Sequence, residues 1–110
     1  MAKPIPKELL IHSISYEEYA GKGRHGDTWK APINIDFVRV EPIERVTRNG
    51  NGEEITSQTT VFIDAVYSKP IPKFVEKSKV TFNGRTRFVN EIKEQYAKSA
   101  SIHHWELMLV

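Results

Sequence analysis

The residues best suited to chemistry sit in His103-His104-Trp105-Glu106. Imidazoles and a carboxylate this close together suggest a metal site. On a strand, however, neighbouring side chains project to opposite faces. His103 and His104 are therefore expected to point apart, leaving only His104 and Glu106 on one side, and two ligands do not make a site. His103, beside Trp105, reads instead as a partly buried residue at a core edge. His12 and His25 are distant in sequence, and the chain has no cysteine to join them. Serine and histidine both occur, but without the glycine pattern of a nucleophile elbow. Glu17-Glu18 and Glu53-Glu54 are the carboxylate pairs available for hydrolysis, and both read as solvated charges. Residues 20–31, AGKGRHGDTWKA, look like a phosphate cradle only superficially, because no Gly-Lys-Ser/Thr follows and no helix is signalled. No catalytic residue, metal or cofactor is expected, and the chain reads as a non-enzyme.

The elements that would position these residues are strands. Residues 80–110 organise the chain: two apolar runs flank Asn83-Gly84, a strong hairpin signal. A plain two-residue loop would pair Phe82 with Arg85 and Val80 with Arg87, placing two arginines on the apolar face. Counting apolar residues favours a glycine bulge at Gly84 instead, a one-residue shift that puts Val80, Phe82, Thr86, Phe88 and Ile92 on one face. Gly84, Phe88 and Trp105 are then structural residues. The basic–aromatic run Arg85-Thr86-Arg87-Phe88 would suit base stacking only with Phe88 outside, which this register denies. In the last strand His103, Trp105, Leu107 and Leu109 share one face, while Ile102, His104, Glu106, Met108 and Val110 share the other. Apolar groups on both faces call for cover on both, from the chain's own barrel or from a neighbour.

Upstream, Lys3-Pro4-Ile5-Pro6-Lys7 is an extended arm over about residues 1–8, and Lys69-Pro70-Ile71-Pro72-Lys73 repeats it. With unlike flanks, these read as two polyproline-like linkers rather than a duplication. A first strand over residues 9–19 places Leu10, His12, Ile14 and Tyr16 on one face. Residues 20–31 read as a surface loop made basic by Lys22, Arg24 and His25. In the second strand, residues 32–41, Ile33, Ile35 and Phe37 hold one parity and Val38 and Val40 the other, so a bulge or bend is expected near Phe37-Val38. Residues 42–56 form a long polar connection in which Asn49-Gly50-Asn51-Gly52 is either a hairpin tip or a flexible loop. The third strand, residues 55–67, is apolar on both parities at Val61-Phe62-Ile63 and should be central. Asp64 interrupts it, as a solvent-facing or hydrogen-bonded carboxylate. The strand after Asn83-Gly84 is expected to run to about Glu94. The reading is all-β: one domain, a small twisted barrel of about five to six strands with long loops.

Composition agrees. The chain has 110 residues, enough for one modest core, and 39% are apolar, so that core is small or completed by partners. The absence of cysteine excludes disulfide and cysteine–zinc scaffolds. Leu9-Leu10-Ile11 is too short an apolar run for a signal peptide, and no run approaches a membrane span. A net charge of +2 does not mark a dedicated nucleic-acid binder, yet permits contact with a phosphate backbone.

Several stretches together resemble the minor capsid protein family of tailed bacteriophages of low-GC Gram-positive bacteria, and more broadly head-closure, or stopper, proteins of the head–tail connector. They are Pro4-Ile5-Pro6-Lys7-Glu8-Leu9-Leu10-Ile11-His12, Val38-Arg39-Val40-Glu41-Pro42, Phe62-Ile63-Asp64-Ala65, Lys79-Val80-Thr81-Phe82-Asn83-Gly84 with Phe88-Val89, and Ile102-His103-His104-Trp105-Glu106-Leu107. Their order and spacing carry the resemblance across nearly the full chain. It implies a β-barrel made in the host cytoplasm and assembled in the virion as a homo-oligomeric ring at the head–tail interface. The portal–adaptor would lie above the ring and the tail or tail terminator below, with non-specific contact to packaged double-stranded DNA and no membrane. It implies no catalytic residues. The assembly and channel elements are then expected in Lys22, Arg24 and His25, and in Arg45, Arg48, Asn49, Gly50, Asn51 and Gly52. The alternatives are a free-standing barrel that binds peptide or nucleic acid, or another connector component such as a tail terminator.

Overall fold

The computed structural model describes residues 3–49, 52–97 and 100–110, and their side chains outside residues 43–58. A 3-10 turn at Lys7–Leu9 leads into eight strands: β1 (His12–Glu17), β2 (Tyr19–Gly23), β3 (Gly26–Trp29), β4 (Ile33–Asn49), β5 (Gly52–Asp64), β6 (Lys79–Phe82), β7 (Arg85–Tyr96) and β8 (Ile102–Leu109). Six of them close an antiparallel barrel in the order β1-β4-β5-β8-β7-β6, with β6 pairing back onto β1. Strands β2 and β3 form a separate two-stranded sheet.

Alternation builds the interior. Ile14 and Tyr16 from β1, Ile35, Val38 and Val40 from β4, Val61 and Ile63 from β5, Val80 from β6, Val89 from β7, and Leu107 and Leu109 from β8 make one buried cluster. Each such side chain contributes about 1.5–3 kcal/mol by leaving water. Phe74 and Trp105 pack against it with ring centroids 5.3 Å apart, so Trp105 has the structural place expected of it. Tyr16 is the polar member of that cluster. Its hydroxyl donates to the Lys73 carbonyl at 2.9 Å, accepts from the Val75 N–H at 3.0 Å and lies 3.0 Å from Ser78 Oγ. Burial raises the phenol pKa above its ordinary value, so Tyr16 stays neutral near neutral pH.

The expected bend in β4 falls at Phe37, whose φ is +58°. Pairing with β1 slips there, from Ile14↔Ile35 to His12↔Val38. The slip lets Ile35 and Val38, of opposite parity, both face inward. Ser68 Oγ–H holds the kink by donating to the Phe37 carbonyl.

Three sequence expectations need correction. Residues 20–31 are not a loop but the β2–β3 hairpin, with Arg24 and His25 at its turn. The connection over residues 42–56 is mostly strand: β4 and β5 pair continuously from Val38↔Ile63 to Asn49↔Gly52, as the hairpin-tip alternative requires, while Gly50 and Asn51 lie outside the described residues. The Asn83-Gly84 hairpin has the plain two-residue register, Phe82↔Arg85 and Val80↔Arg87, rather than the bulged one. Asn83 and Gly84 both have positive φ, 51° and 74°, as a type I′ turn demands. Phe88 is consequently 41% exposed on the outer face, opposite in direction to buried Val80. The apolar count misled because Arg85 and Arg87 line an open cavity at one end of the barrel, with Val80, Phe82 and Leu109, and neither is buried.

Gly84→Ala should destabilise the barrel by about 1–2 kcal/mol in urea denaturation, since a Cβ is disfavoured in the left-handed region. An unchanged midpoint would show that the turn accepts another conformation.

Candidate functional site

The described residues hold surfaces suited to contact rather than to reaction, at two ends of the barrel. β5 meets β8 only from Thr59↔Leu109 to Asp64↔His104, and β4 meets β1 only from Tyr16↔Ile33 to His12↔Val38. Residues 43–49 and 52–58 run on beyond both as a two-stranded ribbon. At a strand rise of ~3.3 Å per residue, the ribbon reaches about 20 Å past the barrel. Arg45, Arg48, Asn49 and Gly52 belong to its backbone, and their side chains are outside those described.

Beside the ribbon's base the barrel opens into a cavity of about 390 Å³. Val40, Val80, Phe82 and Leu109 give it an apolar floor, and Arg85 and Arg87 stand at its wall. Neither guanidinium has an acidic partner among the described residues. The arrangement suits a ligand group with an apolar body and an anionic tip. This pair was missed as a site in the sequence, since the bulged register turned it outward. The Asn-Gly dipeptide was the signal that located it, through the turn it forms.

The β2–β3 hairpin follows β1 and precedes β4, so it lies at the opposite end from the ribbon. The structure therefore does not bring Lys22, Arg24 and His25 together with the ribbon. All three are exposed. The hairpin is fastened at its base: Trp29 Nε1–H donates to the Lys77 carbonyl at 2.9 Å, and Lys79 Nζ stands 4.0 Å over the indole. Tyr19 and Phe88 flank the same indole at 5.8 and 6.1 Å. Such cation–π and aromatic contacts are each worth roughly 0.5–1.5 kcal/mol, which anchors a hairpin with no buried residue of its own.

Asp64 is fully buried and hydrogen-bonded. Its Oδ1 accepts from the Ile5 N–H at 2.9 Å, and its Oδ2 accepts from Val66 and Tyr67 N–H at 2.8 and 2.9 Å. One carboxylate thus ties the N-terminal arm to the turn after β5. The arm also runs past Arg39, whose Nη1 donates to the Leu9 carbonyl, and ends with the Lys3 carbonyl against His103 Nε2. The histidines correct another expectation: their rings do not part, and the two Nδ1 atoms lie 2.9 Å apart. His104 Nε2 is 3.2 Å from Glu106 Oε2. No group of three or more His, Cys, Asp or Glu side chains among the described residues is placed to hold a metal. Among those residues, too, no helix is long and apolar enough to cross a membrane.

The family model described as minor capsid protein matches residues 6–109, nearly the whole chain. The chain belongs to that family, which makes it a structural protein of a phage virion and points away from catalysis. No curated protein matches it.

Replacing Asp64 with alanine would leave three backbone N–H donors without their acceptor. The expected cost is ~3 kcal/mol or more in urea denaturation, with faster exchange of the Ile5 amide. A loss under ~1 kcal/mol would mean that water replaces the carboxylate and that the arm is held by its other contacts.

Proposed function

We propose that this minor capsid protein is a head-closure subunit: copies form a ring at the head–tail interface, join the portal–adaptor to the tail and retain packaged DNA. The observation that carries this reading is the ribbon, a two-stranded extension of a barrel that is otherwise closed. A closed barrel supplies a rigid body with few open edges. A ribbon that leaves it at one end, with the basic β2–β3 hairpin at the other, gives a subunit two distinct ends, as a part lying between head and tail requires. Mild positive charge suits passing contact with DNA without trapping it. Because the two elements lie apart, they serve different neighbours: the ribbon faces the channel or an adjacent copy, and Lys22, Arg24 and His25 face a ring above or below.

The arginine-flanked cavity favours a second reading, a free-standing barrel that binds an acidic, apolar segment. Mutation of the phage separates the two. Deleting residues 49–52 removes no core side chain and should leave the barrel folded, yet yield heads that leak DNA or fail to join tails. Lys22→Glu with Arg24→Glu should leave DNA retained and reduce joining alone. Unchanged infectious titre with both variants would refute the connector reading.

A further inference from the structure

Closure removes most sheet edges, but the ribbon keeps both of its edges open, and one run of β7 stays open as well. Residues 43–49 of β4 pair with β5 on one side, and no described strand pairs with their other side. Residues 90–96 of β7 pair with β8, while the pairing of β7 with β6 ends at Lys79↔Phe88, extended only by the Lys77 and Ser78 contacts to Val89. Beyond that point no described strand covers the β6 side of β7. Open edges of this length are templates for another strand, and a two-stranded ribbon by itself is only marginally stable in water.

The two edges cannot meet within one chain. The ribbon's base lies where Thr59 pairs with Leu109. Along β7 the pairing runs from Val89↔Leu109 to Tyr96↔Ile102, so residues 90–96 recede from the ribbon's base toward the other end of the barrel. The ribbon projects the opposite way.

We propose that residues 43–49 of one copy add as a strand to the open β7 edge, residues 90–96, of a second copy. Charge selects this edge of the ribbon. Residues 43–49 carry Glu44, Arg45 and Arg48, a net +1, and residues 90–96 carry Glu91, Lys93 and Glu94, a net −1. The other edge, residues 52–58, carries Glu53 and Glu54, a net −2, and would be repelled. Pro42, which has no N–H to give, blunts the β4 edge next to the barrel and leaves the pairing to the ribbon beyond it. Each copy then offers a donor edge at one end and an acceptor edge at the other. Such a contact is heterologous and generates a ring when its rotation closes. The inference rests on the ring reading above and names the contact that would build the ring.

The test is amide hydrogen exchange with two forms of the full chain. In an isotope-labelled variant, residues 44–57 are replaced by Asn-Gly, which closes the Ile43↔Gln58 pair, of the same parity as Asn49↔Gly52, with the turn seen at Asn83-Gly84. This variant keeps the acceptor edge and lacks the donor. Mixed with the unlabelled intact chain, its residues 90–96 should exchange about tenfold more slowly or better, whereas mixing with more variant should change nothing. Oligomers of the intact chain seen by light scattering without that protection would overturn the inference and leave the ring reading standing. Should the intact chain stay monomeric, the comparison moves to purified heads. Unprotected residues 90–96 there overturn the inference, and a head map with one copy in place of a ring overturns the reading beneath it.

Discussion

The barrel depends on two residues of β1 that hold two ladders at once. Tyr16 pairs with Ile33 on one side and Val80 on the other, Ser15 with Asn34 and Thr81, and Glu17 adds Lys79. Without this short double pairing the sheet would be open, with β4 and β6 as unprotected edges. The Tyr16 hydroxyl reinforces the closure by binding Lys73, Val75 and Ser78 in the segment that delivers β6. Ser78 in turn accepts from the Tyr19 N–H, so the base of the β2–β3 hairpin hangs on the same small network. Buried polar groups of this kind are costly when unpaired, and among the described residues none is left without a partner.

Closure also requires β4 to turn, and the chain does this at a cost. A left-handed φ at Phe37 is unfavourable for a bulky residue by roughly 1–2 kcal/mol. The surroundings over-determine it: Ser68 donates to the Phe37 carbonyl and accepts from the Asp64 N–H, while Lys7 Nζ lies 4.5 Å from the phenyl centroid. Asp64 and Ser68 therefore fix the β4 kink, the end of β5 and the N-terminal arm together. The arm is extended, as its prolines dictate, but it is strapped to the barrel rather than free.

What the sequence made legible was what local alternation controls. The parity switch from Ile35 to Val38 announced the β4 bulge, and Val61-Phe62-Ile63 announced a central strand. The rest depends on partners distant in the chain. The β2–β3 hairpin has glycines and charges where a strand would show alternating apolar residues; it forms because Trp29 finds Lys77 and Lys79. The role of Asp64 was invisible because one of its donors, Ile5, is 59 positions away. The error at Asn83-Gly84 came from weighing side chains above backbone. An Asn-Gly pair with both φ angles positive sets the register by itself, and the mouth of a barrel tolerates arginines that its middle would reject. The cavity beside Arg85 and Arg87 was hidden by the same error.

The division of labour between barrel and ribbon follows from where apolar side chains are spent. The described core lies within the closed six-stranded body and stops at Val40 and Val61 on the two strands that continue outward. From Ile43 and Gln58 outward, β4 and β5 have only each other among the described strands. Fixing the backbone costs about 1–2 kcal/mol per residue, and two strands without a layer to pack on recover little of it. A segment so placed adds little to the fold and is free to serve another purpose. The sequence of the ribbon agrees: its paired positions hold Arg48 against Glu53 and Thr47 against Glu54 rather than a run of apolar pairs. Polar pairing of that sort favours keeping the ribbon in water before assembly over holding it against its own barrel. The outer sides of both ribbon strands have no partner strand among the described residues, the condition under which a strand edge is a template for another strand.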